Sequence, residues 1–255
     1  MSYFWMTVIG IGFIFLSSTL GAALVYCFKK EFSPKANAAF LGLASGIMLA
    51  ASVWSLILPA FDQAETRWGR YAVIPISLGL LFGGAFLWAF DRMCSFKNTE
   101  IGKKSVRLFL AVTLHNIPES LAVGFAFGSA WAIGTEASFL SALGVAIGIG
   151  IQNFPEGAAV ALPMRAELKS KHKAFLYGFA SGAIEPIFAV IGCAFAAYLH
   201  GLQPWLLSFA AGAMLFVVAQ DLLPDTNTQE GGATIGAWSA SLGFVLMMIL
   251  DVVLA

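Results

Sequence analysis

Two related ten-residue stretches decide how this chain folds. Residues 114–123 read Leu-His-Asn-Ile-Pro-Glu-Ser-Leu-Ala-Val, and residues 151–160 read Ile-Gln-Asn-Phe-Pro-Glu-Gly-Ala-Ala-Val. The shared Asn-x-Pro-Glu frame recurs after 37 residues, each time inside an apolar segment long enough to cross a bilayer. Because consecutive spans cross a membrane in opposite directions, these two predict a repeat of inverted topology.

The composition around these stretches excludes an ordinary soluble enzyme. Of the 255 residues, 59% are hydrophobic and 11% are charged, whereas a soluble domain has roughly 25% charged residues. The prediction is an all-α polytopic membrane protein in which residues 1–255 form a single transmembrane domain of eight helices. Cutting the chain at its charges gives the eight spans: 3–28, 36–61, 71–90, 108–135, 137–164, 174–199, 201–220 and 231–250.

Weaker echoes extend the symmetry beyond the central pair. Ser45-Gly-Ile-Met-Leu49 in the second span resembles Ala211-Gly-Ala-Met-Leu215 in the seventh, and Ser77-Leu-Gly79 in the third resembles Ser241-Leu-Gly243 in the eighth. We therefore expect inverted repeats in which helices 1–3 mirror 6–8 and helix 4 mirrors helix 5. Such repeats, with broken helices meeting at the midplane, are typical of secondary transporters.

The charge distribution predicts the orientation in the membrane. With the N-terminus outside, only Arg67 and Arg70 lie on the outer side, and twelve of the fourteen basic residues fall inside: Lys29, Lys30, Lys35, Arg92, Lys97, Lys103, Lys104, Arg107, Arg165, Lys169, Lys171 and Lys173. The positive-inside rule thus favours both termini outside. The net charge of zero gives no sign of a nucleic-acid partner. The chain is short and shows no targeting segment, and we expect a multi-pass protein of a bacterial inner membrane.

Three glutamates mark the predicted midplane. Glu119, Glu156 and Glu185 are the only acidic residues within the eight segments as cut, and no Lys or Arg accompanies them. Each carboxylate in mid-membrane costs roughly 2.5–3.5 kcal/mol on insertion scales. The counter-charge must therefore be protons on the carboxylates or a cation brought from outside.

The spacing of the neighbouring polar residues favours a divalent cation. His115 and Glu119 are four residues apart and share one helix face, with Asn116 at its edge. The next helix repeats this arrangement with Gln152 and Asn153 beside its own glutamate. Nitrogen and oxygen ligands of this kind suit Zn, Fe or Mn. Either one ion or two ions that share the glutamates fit this set.

Two other functions could use some of the same residues. A proton or sodium carrier could use the three glutamates, but it leaves His115 and the doubled Asn unexplained. An intramembrane metalloprotease lacks its His-Glu-x-x-His motif here, and none of the spans holds a second His. We therefore predict that the protein is not an enzyme and has neither catalytic residues nor a catalytic cofactor. Its expected partners are the lipid bilayer and divalent metal ions.

The motifs resemble those of the ZIP metal transporters, and more narrowly the GufA-like branch of that family. The resemblance covers nearly the whole chain and includes Ser181-Gly-Ala-Ile-Glu-Pro186, Ala210-Ala-Gly-Ala-Met214 and the closing stretch 242–248. It implies uptake of Zn²⁺ into the cytoplasm, with Fe, Mn, Cd and Co as related substrates. It also implies an elevator mechanism, in which helices 1, 4, 5 and 6 slide against a dimerising scaffold of helices 2, 3, 7 and 8.

The resemblance also implies a two-metal centre. One site would use His115, Glu119, Gln152 and Glu156, and its neighbour would use Asn116, Glu119, Asn153, Glu156 and Glu185. Ser55 and Asp62 match positions along the family's extracellular entrance. Many relatives carry His where this chain has Gln152, and residues 92–107 contain no His, so a sensor loop of histidines is not expected.

Overall fold

Helices make up almost all of the described protein. The computed structural model describes residues 2–27, 33–93, 103–199, 201–227 and 232–254. Two π-helical turns, Ser52–Ile57 and Val218–Leu222, and a 3₁₀ turn, Gly69–Ala72, interrupt or join the α-helices. The α-helices are α1 Tyr3–Cys27, α2 Pro34–Ala51, α3 Leu58–Trp68, α4 Val73–Met93, α5 Lys103–Ile133, α6 Glu136–Leu168, α7 Lys171–Ala183, α8 Glu185–Leu199, α9 Gln203–Val217, α10 Leu223–Asn227 and α11 Gly232–Leu254.

The chain is a multi-pass membrane protein by the length and composition of its helices. Within the described residues, six helical stretches are long and apolar enough to cross a membrane: Tyr3–Cys27, Pro34–Ala89, Glu136–Leu162, Lys171–Ala196, Gln203–Asn227 and Gly232–Val253. The sequence predicted eight spans. The difference arises because α5, which carries the fourth predicted span, is not among the six and because one stretch holds both the second and the third.

The combined second stretch is broken near its middle. Its 56 residues would measure about 84 Å as one straight helix, far more than the ~30 Å hydrocarbon core. Gly69 ends α3 with a φ of +52°, a backbone conformation that glycine adopts without a steric penalty. The 3₁₀ turn Gly69–Ala72 then leads into α4.

The helices continue through several charged residues that had been taken as the ends of predicted spans. Asp62 lies in α3, Asp221 in the second π-helical turn, and Asp251 in α11, all within the candidate spans. The candidate stretches are longer than the predicted segments, and they therefore hold acidic residues in addition to the three glutamates of those segments. Near a span end, a carboxylate can stay in a helix when it reaches the interface or a polar partner, so a charge does not by itself end the helix.

Close glycine contacts show that neighbouring helices run parallel. Gly150 of α6 lies against Phe13 of α1, and Gly157 lies against Ser18, so α1 and α6 advance in the same direction. Three other pairs of helices also run parallel. Helix α2 contacts α11 at Gly42–Gly236 and Gly46–Ala240, α4 contacts α9 at Gly79–Ser208 and Gly83–Phe209, and α5 contacts α8 at Gly124–Ala189 and Gly128–Cys193. Glycine permits this approach because no Cβ separates the backbones.

The helices form two groups. One group contains α1, α5, α6, α7 and α8, which pack mainly on each other. The other contains α2, α4, α9 and α11. The two groups meet chiefly where α5 contacts α9 and where α2 contacts α6. The predicted metal-site residues all belong to the first group.

Candidate metal site

Six of the seven predicted site side chains are deeply buried. Asn116, Glu119, Gln152, Asn153, Glu156 and Glu185 are each no more than 3% exposed. They lie on α5, α6 and the first turn of α8. The seventh residue, His115, belongs to α5, but its side chain lies outside the described part of the structure. Burial of so many polar groups in one place is expensive unless each finds a partner.

Glu119 and Gln152 join the two halves of the repeat. Gln152 Nε2 donates a hydrogen bond of 2.8 Å to Glu119 Oε1. The other oxygens of the pair, Glu119 Oε2 and Gln152 Oε1, are buried and accept no hydrogen bond from any described residue. A buried polar atom without a partner costs about 1–3 kcal/mol, and more when it carries charge. A bound cation would satisfy both oxygens.

Glu185 lies between the two repeated asparagines. Its Oε1 accepts hydrogen bonds from Ser18 Oγ at 2.5 Å and from Asn116 Nδ2 at 3.3 Å. Its Oε2 accepts one from Asn153 Nδ2 at 2.8 Å. The amide oxygens of Asn116 and Asn153 are buried and have no hydrogen-bond partner in the described ranges. Four oxygens from the two motifs are thus available at this place.

The local sequence explains why Glu185 enters the site. Helix α7 ends at Ala183 and α8 begins at Glu185, so the sixth predicted span is broken there. Pro186 follows at once, and a proline removes a backbone donor and clashes with the carbonyl four residues earlier. By contrast, α5 and α6 continue as helices past Pro118 and Pro155.

The candidate ligand atoms that the structure describes are mostly oxygens of amides and carboxylates. Among the side chains that the structure describes, no three His, Cys, Asp or Glu residues are grouped closely enough to hold a metal ion by themselves. His115 is not part of that set. The complete ligand sets predicted from the family resemblance therefore stay predictions. The structure shows how the amide groups are arranged around the glutamates.

A second polar contact lies one helical turn from this site. Ser55 Oγ donates a 2.9 Å hydrogen bond to Asp251 Oδ1. Asp251 Oδ2 is buried and has no hydrogen-bond partner in the part of the chain that is described. Both side chains face Gly148, where a Cβ would lie 3.4 Å from Asp251 Oδ1 and 3.8 Å from Ser55 Oγ. Since Gly148 precedes Gln152 by one turn of α6, this contact adjoins the metal site.

Two functional candidates were missed from the sequence. Asp251 fell one residue beyond the last predicted span, although an acidic residue in that apolar C-terminal stretch was a usable signal. Ser18 gave no signal, because a serine in an apolar helix is common. Of the two predicted entrance residues, Asp62 is exposed on α3 and Ser55 donates a hydrogen bond to Asp251; their role at an entrance stays a prediction.

The comparison with protein families agrees with these motifs. Residues 105–251 match the family described as ZIP Zinc transporter, a region that includes both repeated stretches, Glu185 and Asp251. The chain belongs to the ZIP family. Its membership supports transport of divalent metal ions by a protein embedded in a membrane.

Several ZIP relatives align along most of the chain. Human "Zinc transporter ZIP11" is 32% identical over 97% of this chain and 97% of that protein. "Zinc transporter GufA" of Myxococcus xanthus is 35% identical over 90% of this chain and 91% of its own length. "Zinc transporter ZIPB" of Bordetella bronchiseptica is 35% identical over 94% of this chain and 78% of its own length. The resemblance to the GufA-like branch of the ZIP family is thereby confirmed.

Proposed function

We propose that this ZIP-family protein carries Zn²⁺ into the cytoplasm through the site between α5, α6 and α8. The observation that carries the proposal is the set of four buried amide and carboxylate oxygens that accept no hydrogen bond from the described residues, on Asn116, Glu119, Gln152 and Asn153. Polar groups in such a place are costly without a ligand, and a divalent cation is the ligand that this donor set fits. The ion is the cargo, and no catalytic cofactor is proposed.

Zinc is the proposed main substrate for two reasons. The relatives named above are called zinc transporters, and a mixed set of imidazole, amide and carboxylate ligands suits Zn²⁺. Glu156 and His115 would complete the coordination, and two ions that share Glu119 and Glu156 fit the residues as well as one ion does. Fe, Mn, Cd and Co ions have overlapping ligand preferences and are proposed as weaker substrates.

The packing supports eight spans in a single transmembrane domain with inverted repeats. Helices α1 and α6, α5 and α8, α4 and α9, and α2 and α11 run parallel within each pair. In the eight-span topology these pairs are spans 1 and 5, 4 and 6, 3 and 7, and 2 and 8, and each pair crosses in one direction. The predicted symmetry also relates the pair α1 and α6 to the pair α5 and α8, and it relates the pair α4 and α9 to the pair α2 and α11.

Equivalent glycines in the two repeats make equivalent helix contacts. Gly46 of α2 lies against Ala240 of α11, and its counterpart Gly212 of α9 lies against Leu80 of α4. A π-helical turn begins six residues after each glycine, at Ser52 and at Val218. Such turns are rare and occur at functional sites, so their equivalent placement supports a common origin for the two halves.

The two helix groups support an elevator mechanism. The group α1 and α5–α8 carries all the site residues, and it packs more extensively within itself than on the other group. A body of this kind can slide as a unit against α2, α4, α9 and α11. We propose that the latter group forms the scaffold of a homodimer in a bacterial inner membrane, with both termini outside.

Zinc uptake into liposomes tests this function. Purified protein is reconstituted with a zinc dye inside the vesicles and a pH dye in a parallel sample, with and without a sodium gradient. Zinc entry that saturates with concentration is expected. Proton or sodium flux without zinc entry would contradict the proposal and would indicate a monovalent carrier built on the same glutamates.

Replacing Asp251 with Asn is expected to weaken the capture of zinc more than its passage. The change removes the charge beside Ser55, one turn from Gln152, and leaves the oxygens of the main site in place. We expect the KM for zinc uptake to rise about three- to tenfold with kcat nearly unchanged. Glu136→Gln, which neutralises an exposed carboxylate at the start of α6, is the matched control. A loss confined to kcat would show that Asp251 does not act in the capture of zinc.

Replacing Gln152 with His is expected to change metal preference. The variant would substitute an imidazole nitrogen for the amide oxygen that lies unpartnered beside Glu119 in the described structure. Imidazole favours Zn²⁺ over Mn²⁺, which prefers oxygen ligands. We expect the ratio of zinc to manganese uptake to rise several-fold. An unchanged ratio, measured with both ions in competition, would show that residue 152 does not bind the ion.

A further inference from the structure

The carboxylate of Glu185 is held by a hydroxyl from a helix outside the repeated motifs. Ser18 lies on α1, is 3% exposed and donates to Glu185 Oε1 at 2.5 Å. The same hydroxyl lies 3.4 Å from the Ile14 carbonyl oxygen. Because a serine has a single hydroxyl hydrogen, the much shorter contact identifies Glu185 as its acceptor.

The surrounding backbone fixes the position of Ser18. Gly157 of α6 lies directly against the Ser18 carbonyl, and a Cβ at Gly182 of α7 would lie 2.8 Å from Ser18 Cβ. Three helices therefore converge on this serine with no room for larger side chains. A side chain held this tightly has little rotamer freedom, so its hydroxyl remains aimed at Glu185.

The same carboxylate determines how the two repeated asparagines are turned. Each asparagine presents its NH₂ group to a Glu185 oxygen, which accepts the hydrogen bond. Asn116 Nδ2 uses its two hydrogens on Glu185 and on the Ser181 carbonyl at 3.3 Å. Asn153 Nδ2 lies 2.8 Å from Glu185 and 3.5 Å from the Ile14 carbonyl. The amide oxygens consequently face away from Glu185.

We infer that Ser18 is a positioning residue of the metal site, which holds Glu185 so that the amide oxygens of Asn116 and Asn153 are oriented for the ion. The inference rests on the proposed function. Ser18 itself does not bind the ion. Its hydroxyl is one of three donors to Glu185, and without it Oε1 keeps only the 3.3 Å bond from Asn116. The carboxylate and both amides then gain freedom, and the ligands are less well preorganised.

Ser18→Ala tests this role on the purified full-length protein in detergent. The variant removes one oxygen atom and adds no bulk. Ser17→Ala makes the same change at the neighbouring buried serine of α1 and is the matched control. Zn²⁺ affinity is measured by competition with a chelating dye, and bound Co²⁺ is measured by its visible absorption, which reports the geometry of the ligands.

We expect Ser18→Ala to weaken Zn²⁺ binding about three- to tenfold and to alter the Co²⁺ spectrum, while Ser17→Ala changes neither. A purely structural role of Ser18 would lower thermal stability without altering the spectrum of the bound ion. An unchanged affinity and spectrum in Ser18→Ala would overturn the inference.

A double-mutant cycle with Glu185→Ala tests whether Ser18 acts through Glu185. In the Glu185→Ala background the serine has lost its side-chain acceptor at this position, so adding Ser18→Ala is expected to change Zn²⁺ affinity less than about twofold. Two effects that simply multiply would overturn the inference. If the wild-type protein binds neither ion, or if Glu119→Ala binds them normally, the proposed function itself fails. A third outcome would overturn the role of Ser18 alone. In that outcome the wild-type protein binds both ions, Glu119→Ala does not, and Ser18→Ala has the same affinity and spectrum as Ser17→Ala.

Discussion

Replacing Glu119 with Ala is expected to reduce zinc uptake to the level of empty liposomes. Glu119 Oε1 accepts the hydrogen bond from Gln152, and Oε2 is buried and unpartnered among the described residues. The change removes a carboxylate that is a proposed ligand and leaves the Gln152 amide without its acceptor. Loss of one ligand to a metal of this kind costs on the order of 100-fold or more, since even supporting residues cost roughly 10–100-fold.

The measurement compares initial zinc uptake in liposomes for Glu119→Ala, the wild type and Glu136→Ala. Glu136 is exposed in the first turn of α6, remote from the buried site, and its replacement is expected to leave uptake within about twofold. Normal uptake by Glu119→Ala would remove the proposed site. If zinc uptake were normal but proton flux were lost, the glutamate would belong to a proton pathway instead.

Replacing Gly157 with Ala is expected to destabilise the group that carries the site. A Cβ at this position would overlap the Ser18 carbonyl of α1, and that atom belongs to the backbone, so a side-chain rotation cannot relieve the overlap. Overpacking of this kind costs typically about 1–3 kcal/mol. Because Ser18 would be displaced from Glu185, zinc uptake is expected to fall as well.

Gly12→Ala is the matched control for this change. Gly12 lies on α1 itself, and a Cβ there would meet no described atom within 4 Å. Ala favours a helix over Gly by about 1 kcal/mol, so this variant is expected to be as stable as the wild type or slightly more stable. Thermal unfolding of both proteins in detergent measures the difference. Equal midpoints for the two variants would show that α1 and α6 do not pack as closely as the glycines indicate.

The positions of most of the buried polar side chains in the site could be predicted from the sequence. The spacing of Asn116, Glu119, Gln152 and Asn153 placed them together, and the structure brings all four into one buried region beside Glu185. This was predictable because residues four apart on a helix share a face and because the repeated frame aligned two neighbouring helices. That these residues bind a metal ion, and that His115 takes part, stay predictions.

The span boundaries were less predictable for a physical reason. A charge was taken as the end of a span, but α11 continues through Asp251, whose carboxylate accepts a hydrogen bond from Ser55 across to another helix. Such a partner is 196 positions away in the chain, and a hydropathy pattern contains only local information. The break at Gly69, by contrast, lies between the second and third predicted spans, 36–61 and 71–90, which the charged residues had already separated.

The sequence by itself determined that this chain is a helical membrane protein of the ZIP family, and it determined which buried residues are polar. Hydrophobicity, helix periodicity and the repeated Asn-x-Pro-Glu frame are local properties, and they survive in the sequence as patterns. Only the tertiary structure decided which helices lie side by side, that Ser18 on α1 holds Glu185, and that the asparagine oxygens face away from it. Those features depend on the close approach of distant backbones at glycines and on the directions of single hydrogen bonds, which the linear order of residues does not specify.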